Sequence, residues 1–242
     1  MNFNAENYAG TELDAMANAP NYQRWIAGEF RPFICGRVLE IGAGIGAMAR
    51  HWLPLATHLH LVEPAPNLLE SLKSNFSGES RVSIHGVTLD RFAQGFCDES
   101  ELKFDTIILV NVLEHIADDV GALQIARGLL REGGYLLVFA PALPALFGAL
   151  DYAFGHYRRY TRRSLSRVLE VSGFAEVRIR YFDFFGVLPW LIASRVARAE
   201  TISPSSVLAF DRFVVPLGVL LESVVRPLIG KNLLSIARRD AA

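Results

Sequence analysis

The chain has 242 residues, 51% hydrophobic and 20% charged, with a formal net charge of −1. These values exclude a disordered or fibrous chain and fit one α/β domain with room for a substantial extra element. Residues 1–150 hold 10 basic and 17 acidic side chains while 151–242 hold 14 and 8, so the C-terminal part should face something anionic.

Met1-Asn-Phe-Asn-Ala-Glu6 has neither a basic nor an apolar export region, which makes the cytoplasm the expected compartment. A helix opens at Asn21-Tyr-Gln-Arg-Trp25, with Trp25, Ile26, Phe30 and Phe33 on its apolar face. Then Arg37-Val-Leu-Glu-Ile-Gly-Ala-Gly-Ile-Gly-Ala47 runs an apolar strand straight into three alternating glycines, Gly42, Gly44 and Gly46. Lacking Cβ atoms, these let a ligand approach the main chain closely. Gly42-x-Gly44-x-x-Ala47 satisfies a permissive dinucleotide fingerprint, in which a pyrophosphate rests on the following helix. Glu40 argues otherwise, because a carboxylate beside the turn repels phosphate and favours a cationic amino group or a ribose hydroxyl.

His58-Leu-His-Leu-Val-Glu63-Pro64 reads as a second strand ending on an acid twenty-one residues after Gly42. At that edge Glu63 is placed to accept from ribose hydroxyls, which supports an adenosine without choosing between cofactors. Further strands are expected near 81–85, 104–110 and 134–140, with helices near 45–54, 66–76 and 118–131. Phe104-Asp-Thr-Ile-Ile-Leu-Val110 is almost wholly apolar and should be central in the sheet. A helix at 161–172, capped by Thr161 and closed at Gly173, precedes strands at 175–182 and 232–238. Cys35 and Cys97 show no metal-ligand spacing, so neither a zinc site nor a disulfide framework is expected.

Four motifs in order carry a family resemblance over residues 37–173: Val38-Leu-Glu-Ile-Gly-Ala-Gly-Ile-Gly46, Leu61-Val-Glu-Pro64, 104–116 with its Asn111-Val-Leu-Glu-His115 end, and Glu132-Gly-Gly-Tyr-Leu-Leu-Val138. Together they resemble a class I S-adenosylmethionine (SAM) methyltransferase, close to the small-molecule type 11 and type 23 groups. The resemblance implies an α/β fold: a Rossmann-like, doubly wound, seven-stranded sheet with an antiparallel last strand and a helical insertion before it. It also implies one domain over 1–242, with an N-terminal helical cap at 1–36 and the insertion at 186–230.

SAM is the implied cofactor. Glu40, Gly42, Ala43, Gly44 and Gly46 would line its methionine part, Glu63 with Pro64 its ribose, and Asn111 the methionine end. The family commonly places an Asp after the third strand for the adenine; here Val87 stands at the equivalent position, leaving backbone groups of Thr88 and Leu89 for that task. Tyr22 or Trp25 from the first helix would cover the methionine, the alternative being ordinary core residues.

The methyl group of SAM is already activated, so transfer needs alignment, exclusion of water and, for an oxygen or nitrogen acceptor, a proton acceptor. His156, in Gly155-His-Tyr-Arg-Arg-Tyr160, is favoured as that base over His115. The alternative for the run from Asp151 to Thr161 is an interface or a structural loop, with Arg158 and Arg159 paired to acids such as Asp151; the remaining histidines are read as structural. The insertion mixes Leu188, Trp190, Leu191, Ile192, Phe210 and Phe213 with Arg195, Arg198 and Arg212. It is open to three roles: a lid, a homodimer contact, or a peripheral membrane or lipid contact. Its apolar stretches at 184–194 and 213–221 are shorter than the roughly 20 residues of a spanning helix.

The expected function is therefore SAM-dependent methylation of a small-molecule acceptor, at oxygen, the acceptor being partly apolar or anionic. Methylation at nitrogen or carbon, or a SAM-binding but non-catalytic partner subunit, are the alternatives. No metal is expected. Nucleic acid is not expected as a partner, because Asn111-Val-Leu-Glu114 stands where base methylases carry an Asn-Pro-Pro-Tyr type of motif.

Overall fold

The computed structural model describes residues 17–97 and 103–240. Part of the expected 1–36 cap, residues 1–16, lies outside them. Seven strands form one sheet: β1 (Arg37–Ile41), β2 (His58–Val62), β3 (Val82–His85), β4 (Phe104–Val110), β5 (Leu130–Pro141), β6 (Ala175–Phe182) and β7 (Asn232–Arg238), in the spatial order β3-β2-β1-β4-β5-β7-β6. The first five run parallel, and β7 is antiparallel to both β5 and β6. As the sequence implied for β4, Phe104, Ile107 and Ile108 are fully buried, with β1 on one side and β5 on the other. Their alternating side chains feed two apolar layers: Leu39, Ile107 and Leu136 face one, and Val38, Ile108 and Leu137 face the other.

The helices are α1 (Pro20–Phe30), α2 (Ala49–Trp52), α3 (Pro66–Asn75), α4 (Leu89–Cys97), α5 (Asp119–Leu129), α6 (Ala149–Phe154), α7 (Arg162–Val171), α8 (Val187–Leu191), α9 (Pro204–Ala209) and α10 (Val215–Val224). Two departures from expectation have local causes. The helix expected at 45–54 is a single turn, α2, because Gly44 and Gly46 hold left-handed φ angles of +58° and +84° that no α-helix accepts. Helix α4 was not foreseen; the Thr88 carbonyl accepts from Phe92 N at 2.9 Å and opens it. Thr161 caps α7 as expected, its Oγ1 accepting from Ser164 N at 3.0 Å.

The strand order reverses between β1 and β4, which opens a crevice at their carboxyl ends. Between β6 and β7 the chain makes an excursion containing α8, α9 and α10, with π-helical turns at Ile192–Val196 and Phe210–Val214. This excursion is fastened to α1. The N-terminus of α1 has no cap of its own, and Asp211 supplies one from 190 residues away, its carboxylate accepting from Asn21 N at 3.1 Å and Tyr22 N at 2.8 Å.

Candidate active site

The glycine turn is shaped by contacts at both ends. Gly42 has φ +70°, and a Cβ there would stand 2.5 Å from Val112 at the end of β4, so only glycine fits. Gly42 N and Ala43 N both donate to Val62 O, at 2.8 and 3.1 Å, drawing the turn onto the end of β2. The next residue is Glu63, whose Oε2 accepts from Gly44 N at 2.7 Å and whose Oε1 accepts from Ala65 N at 2.9 Å. Burial pushes the Glu63 carboxyl up, and these two amides oppose the rise. Pro64 lies between Glu63 and the start of α3.

Glu40 is buried behind the turn, and its Oε2 has no hydrogen-bond partner. Burial pushes its carboxyl up to about 8, with the Trp52 indole pulling down and Glu63 adding to the rise. A buried carboxyl with an orphaned oxygen beside the turn suits the cationic amino group of SAM, whose charge would hold that carboxyl ionised. On this donor set, SAM fits. Thr88 and Leu89 stand at the far edge strand, where Leu89 packs in the core and Thr88 opens α4.

Asn111 links the turn to a second space. It takes a left-handed φ of +52°, tolerable for Asn, which turns the chain off β4 while its N–H donates to Phe139 O at 2.8 Å. Asn111 also lines a cavity of about 570 Å³ roofed by α1 and the excursion. Phe139, Leu150, Trp190, Val207 and Phe210 are among its apolar lining, and Tyr22, Glu114, His156, Arg159, Lys231 and Asn232 are among its polar points. The structure thus brings Tyr22, Asn111 and His156 to one cavity. Trp25 packs away from it, with its ring 4.0 Å from that of Phe182.

Tyr22 OH donates toward Asp183 Oδ2 (3.1 Å) and Asn232 Oδ1 (3.2 Å), and burial with Asp183 beside it pushes the phenol well above its usual range. Lys231 Nζ lies 3.3 Å from Asp183 Oδ2. Arg159 and Lys231 both sit over the Trp190 ring, at 4.5 and 5.6 Å.

His156 is buried, with Nδ1 2.9 Å from Asp151 Oδ1. Arg159 Nε donates to that same oxygen at 2.6 Å and its terminal nitrogen to Ala142 O at 3.0 Å, the Arg159–Asp151 pairing that the structural-loop alternative contained. Arg158 pairs with Asp119 instead, at 2.8 Å. Burial works to raise the Asp151 carboxyl, but the His156 hydrogen bond and the Arg159 guanidinium outweigh it and hold it below the ordinary range. The His115 ring lies edge-on to that of His156, centroids 4.7 Å apart. Glu114, His115 and His156 bring one ligand-type atom each within 4.8 Å of one another, a grouping chemically able to hold a cation as well as to pass a proton.

Glu114, Lys231 and Asn232 were not singled out from sequence. Glu114 could have been, since it sits three residues after Asn111 in a short 3-10 turn (Leu113–His115) that returns it to the same side. Lys231 and Asn232 follow from topology, because the start of an antiparallel β7 lies beside the carboxyl end of β5.

The mixed seven-stranded sheet and this turn define a class I SAM-dependent methyltransferase fold. A family model described as "Methyltransferase domain" matches residues 11–179, and the chain belongs to that family, whose cofactor is SAM. Among curated proteins, a ubiquinone biosynthesis O-methyltransferase of Methylocella silvestris is 29% identical over 170 residues. The match takes in 65% of this chain and 63% of that protein. Highly reducing polyketide synthase 40 of Fusarium mangiferae is 27% identical over 165 residues, 61% of this chain and 6% of the synthase. Among solved structures, an O-methyltransferase family protein from Burkholderia thailandensis aligns at a TM-score of 0.61 with 15% identity, over 95% of this chain and 58% of that one. A SAM-dependent methyltransferase from Archaeoglobus fulgidus aligns at 0.58 with 15% identity, over 90% and 94%. These two likenesses carry the fold.

Proposed function

We propose that the chain methylates an oxygen atom of a small, largely apolar acceptor held in the 570 Å³ cavity, with His156 as proton acceptor. The observation that carries this is the buried Asp151–His156 pair at 2.9 Å on the wall of a cavity that also holds Asn111 of the cofactor motif. SAM, when bound, supplies a methyl group already activated by its sulfonium. Glu40, Gly42, Ala43, Gly44 and Gly46 would hold its methionine part, Glu63 and Pro64 its ribose, and backbone groups of Thr88 and Leu89 its adenine. Asn111 and Tyr22, both on the cavity wall, would meet the methionine end.

Asp151 is ionised and accepts from Nδ1, which fixes the imidazole tautomer with its lone pair on Nε2. Nε2 takes the proton of the acceptor hydroxyl as the new C–O bond forms, and Asp151 stabilises the resulting imidazolium. The adjacent His115 supports the same proton transfer. The apolar roof shields the site from water, and Arg159 and Lys231, both over the Trp190 ring, are the cations of the cavity wall that an anionic substituent of the acceptor would meet. The reducing cytoplasm suits a chain with two cysteines, of which Cys35 is an exposed free thiol.

The cheapest way to find the acceptor is to supply labelled SAM with metabolite extracts and isolate the labelled product. On that acceptor, His156→Ala should lower turnover by about 10²–10⁴-fold. Its affinity for S-adenosylhomocysteine should stay unchanged by calorimetry. Undiminished turnover would remove His156 from the mechanism.

A further inference from the structure

Fifteen of the eighteen exposed large hydrophobic side chains among the described residues lie between Phe184 and Ile229. Scattered exposed apolar residues need no explanation, but a concentration of this kind marks a surface that meets something. On α10, Val215 and Gly218 pack inward, a Cβ on Gly218 falling 3.0 Å from the Trp25 ring. The opposite stripe, Leu217, Leu220 and Val224, is 56%, 64% and 81% exposed, and Val225 and Leu228 continue it past the helix end.

Charge selects the occupant. Arg195, Arg198, Arg212 and Arg226 are exposed in this segment, against one exposed acid, Glu200. The segment's other acids point inward: Asp211 caps α1, and the Glu222 carboxylate accepts from Phe184 N at 2.9 Å and pairs with Arg180. A second copy meeting this face about a two-fold axis would set arginines against arginines. A bilayer with anionic headgroups satisfies both the apolar stripe and the cations around it. No described helix is long and apolar enough to cross a membrane, so the fit is to the interface. The patch is also the outer side of the cavity wall, since Leu188 and Ile192 line the cavity while remaining 61% and 50% exposed.

We propose that residues 184–229 seat the protein on an anionic lipid surface, and that a lipid-dissolved acceptor enters the cavity past Leu188 and Ile192. The second half rests on the methyl-transfer reading and deepens it; the docking itself stands without it. The test is flotation of the full chain, loaded with S-adenosylhomocysteine, on phosphatidylcholine vesicles with and without phosphatidylglycerol. The protein should float with the anionic vesicles and fall away as salt rises. The double variant Leu220→Glu/Val224→Glu should lose about tenfold in partitioning while its heat of S-adenosylhomocysteine binding is kept. Arg212→Ala/Arg226→Ala should weaken only the anionic, salt-sensitive part, and this variant carries the test if the first does not fold.

The proposal falls if neither vesicle floats the wild type, or if both variants float as the wild type does. It also falls if light scattering finds a wild-type dimer that the Leu220→Glu/Val224→Glu change splits, since a second copy then covers the patch. Flotation without any heat from S-adenosylhomocysteine would sink the methyl-transfer reading and leave the docking intact.

Discussion

Replacing Glu40 by glutamine tests the cofactor assignment at its most exposed point. In the unliganded protein the Glu40 carboxyl titrates near 8, so about 0.9 of it is protonated at pH 7. A cationic amino group about 4 Å away in a medium of effective dielectric near 20 is worth about 4 kcal/mol. That brings the carboxyl down by about three pH units, to near 5. Binding at pH 7 should therefore release about 0.9 proton. Ionising the group at pH 7 costs about 1.4 kcal/mol of the gain, leaving about 2.6 kcal/mol, or roughly 80-fold in affinity, for Glu40→Gln to lose.

Titration calorimetry with S-adenosylhomocysteine in phosphate and in Tris reads the proton release directly from the difference in heats. The wild type should differ between buffers and gain affinity from pH 7 to 8, whereas Glu40→Gln should do neither. The sign for stability follows from the same shift. A folded value raised from 4.5 to about 8 means the folded state holds the extra proton in that window, so the stability contributed by Glu40 is full below 4.5 and drains away as pH rises toward 8. The glutamine variant should lack that decline. Equal heats in both buffers, with affinity unchanged by the substitution, would refute the placement of a cation beside Glu40.

Asp211→Ala removes the distant cap of α1 and should cost about 2 kcal/mol, seen as a fall of about 4–8 °C in the melting temperature; an unchanged melt would show that α1 needs no such partner. Dialysis against EDTA should leave methyl transfer intact, because the Glu114, His115 and His156 group is assigned to a proton; loss of activity restored by a divalent ion would reassign it to a metal. His60, stacked on His85 with its imidazole depressed to about 3 chiefly by burial, binds fewer protons in the folded state than unfolded. Its contribution is present above 6.5 and lost as pH falls toward 3, so melting curves of His60→Leu should lose part of the acid sensitivity of the wild type.

The sheet was legible because its strands are short, apolar and separated by helices or turns, and β4 announces its central place by an almost unbroken apolar run. The glycine turn and Glu63 were legible for a chemical reason: close approach of backbone to ligand demands glycine at fixed spacing, and an acid must follow at the next strand end. The length of α2 was not, since the number of turn residues that three glycines remove from a helix depends on φ angles that composition does not encode. Asp211 capping α1 and Lys231 beside Asp183 were also invisible, because pairs 190 and 48 residues apart leave no local pattern. Asp151 and Arg159 sit within nine residues of one another, so their pairing could be offered as part of a structural-loop reading, whereas the Asp151–His156 bond emerged only from the structure.

Strand β7 lies between β5 and β6 although it is made after both. Until the ribosome has delivered Asn232–Arg238, the nascent sheet has two raw borders where one seam belongs, each with a row of unanswered amides and carbonyls. The excursion that roofs the cavity emerges before that seam can be sewn, with its leucines and valines uncovered. A chain halted in this stretch would carry both open borders and an uncovered apolar excursion, the features by which unfinished folds aggregate.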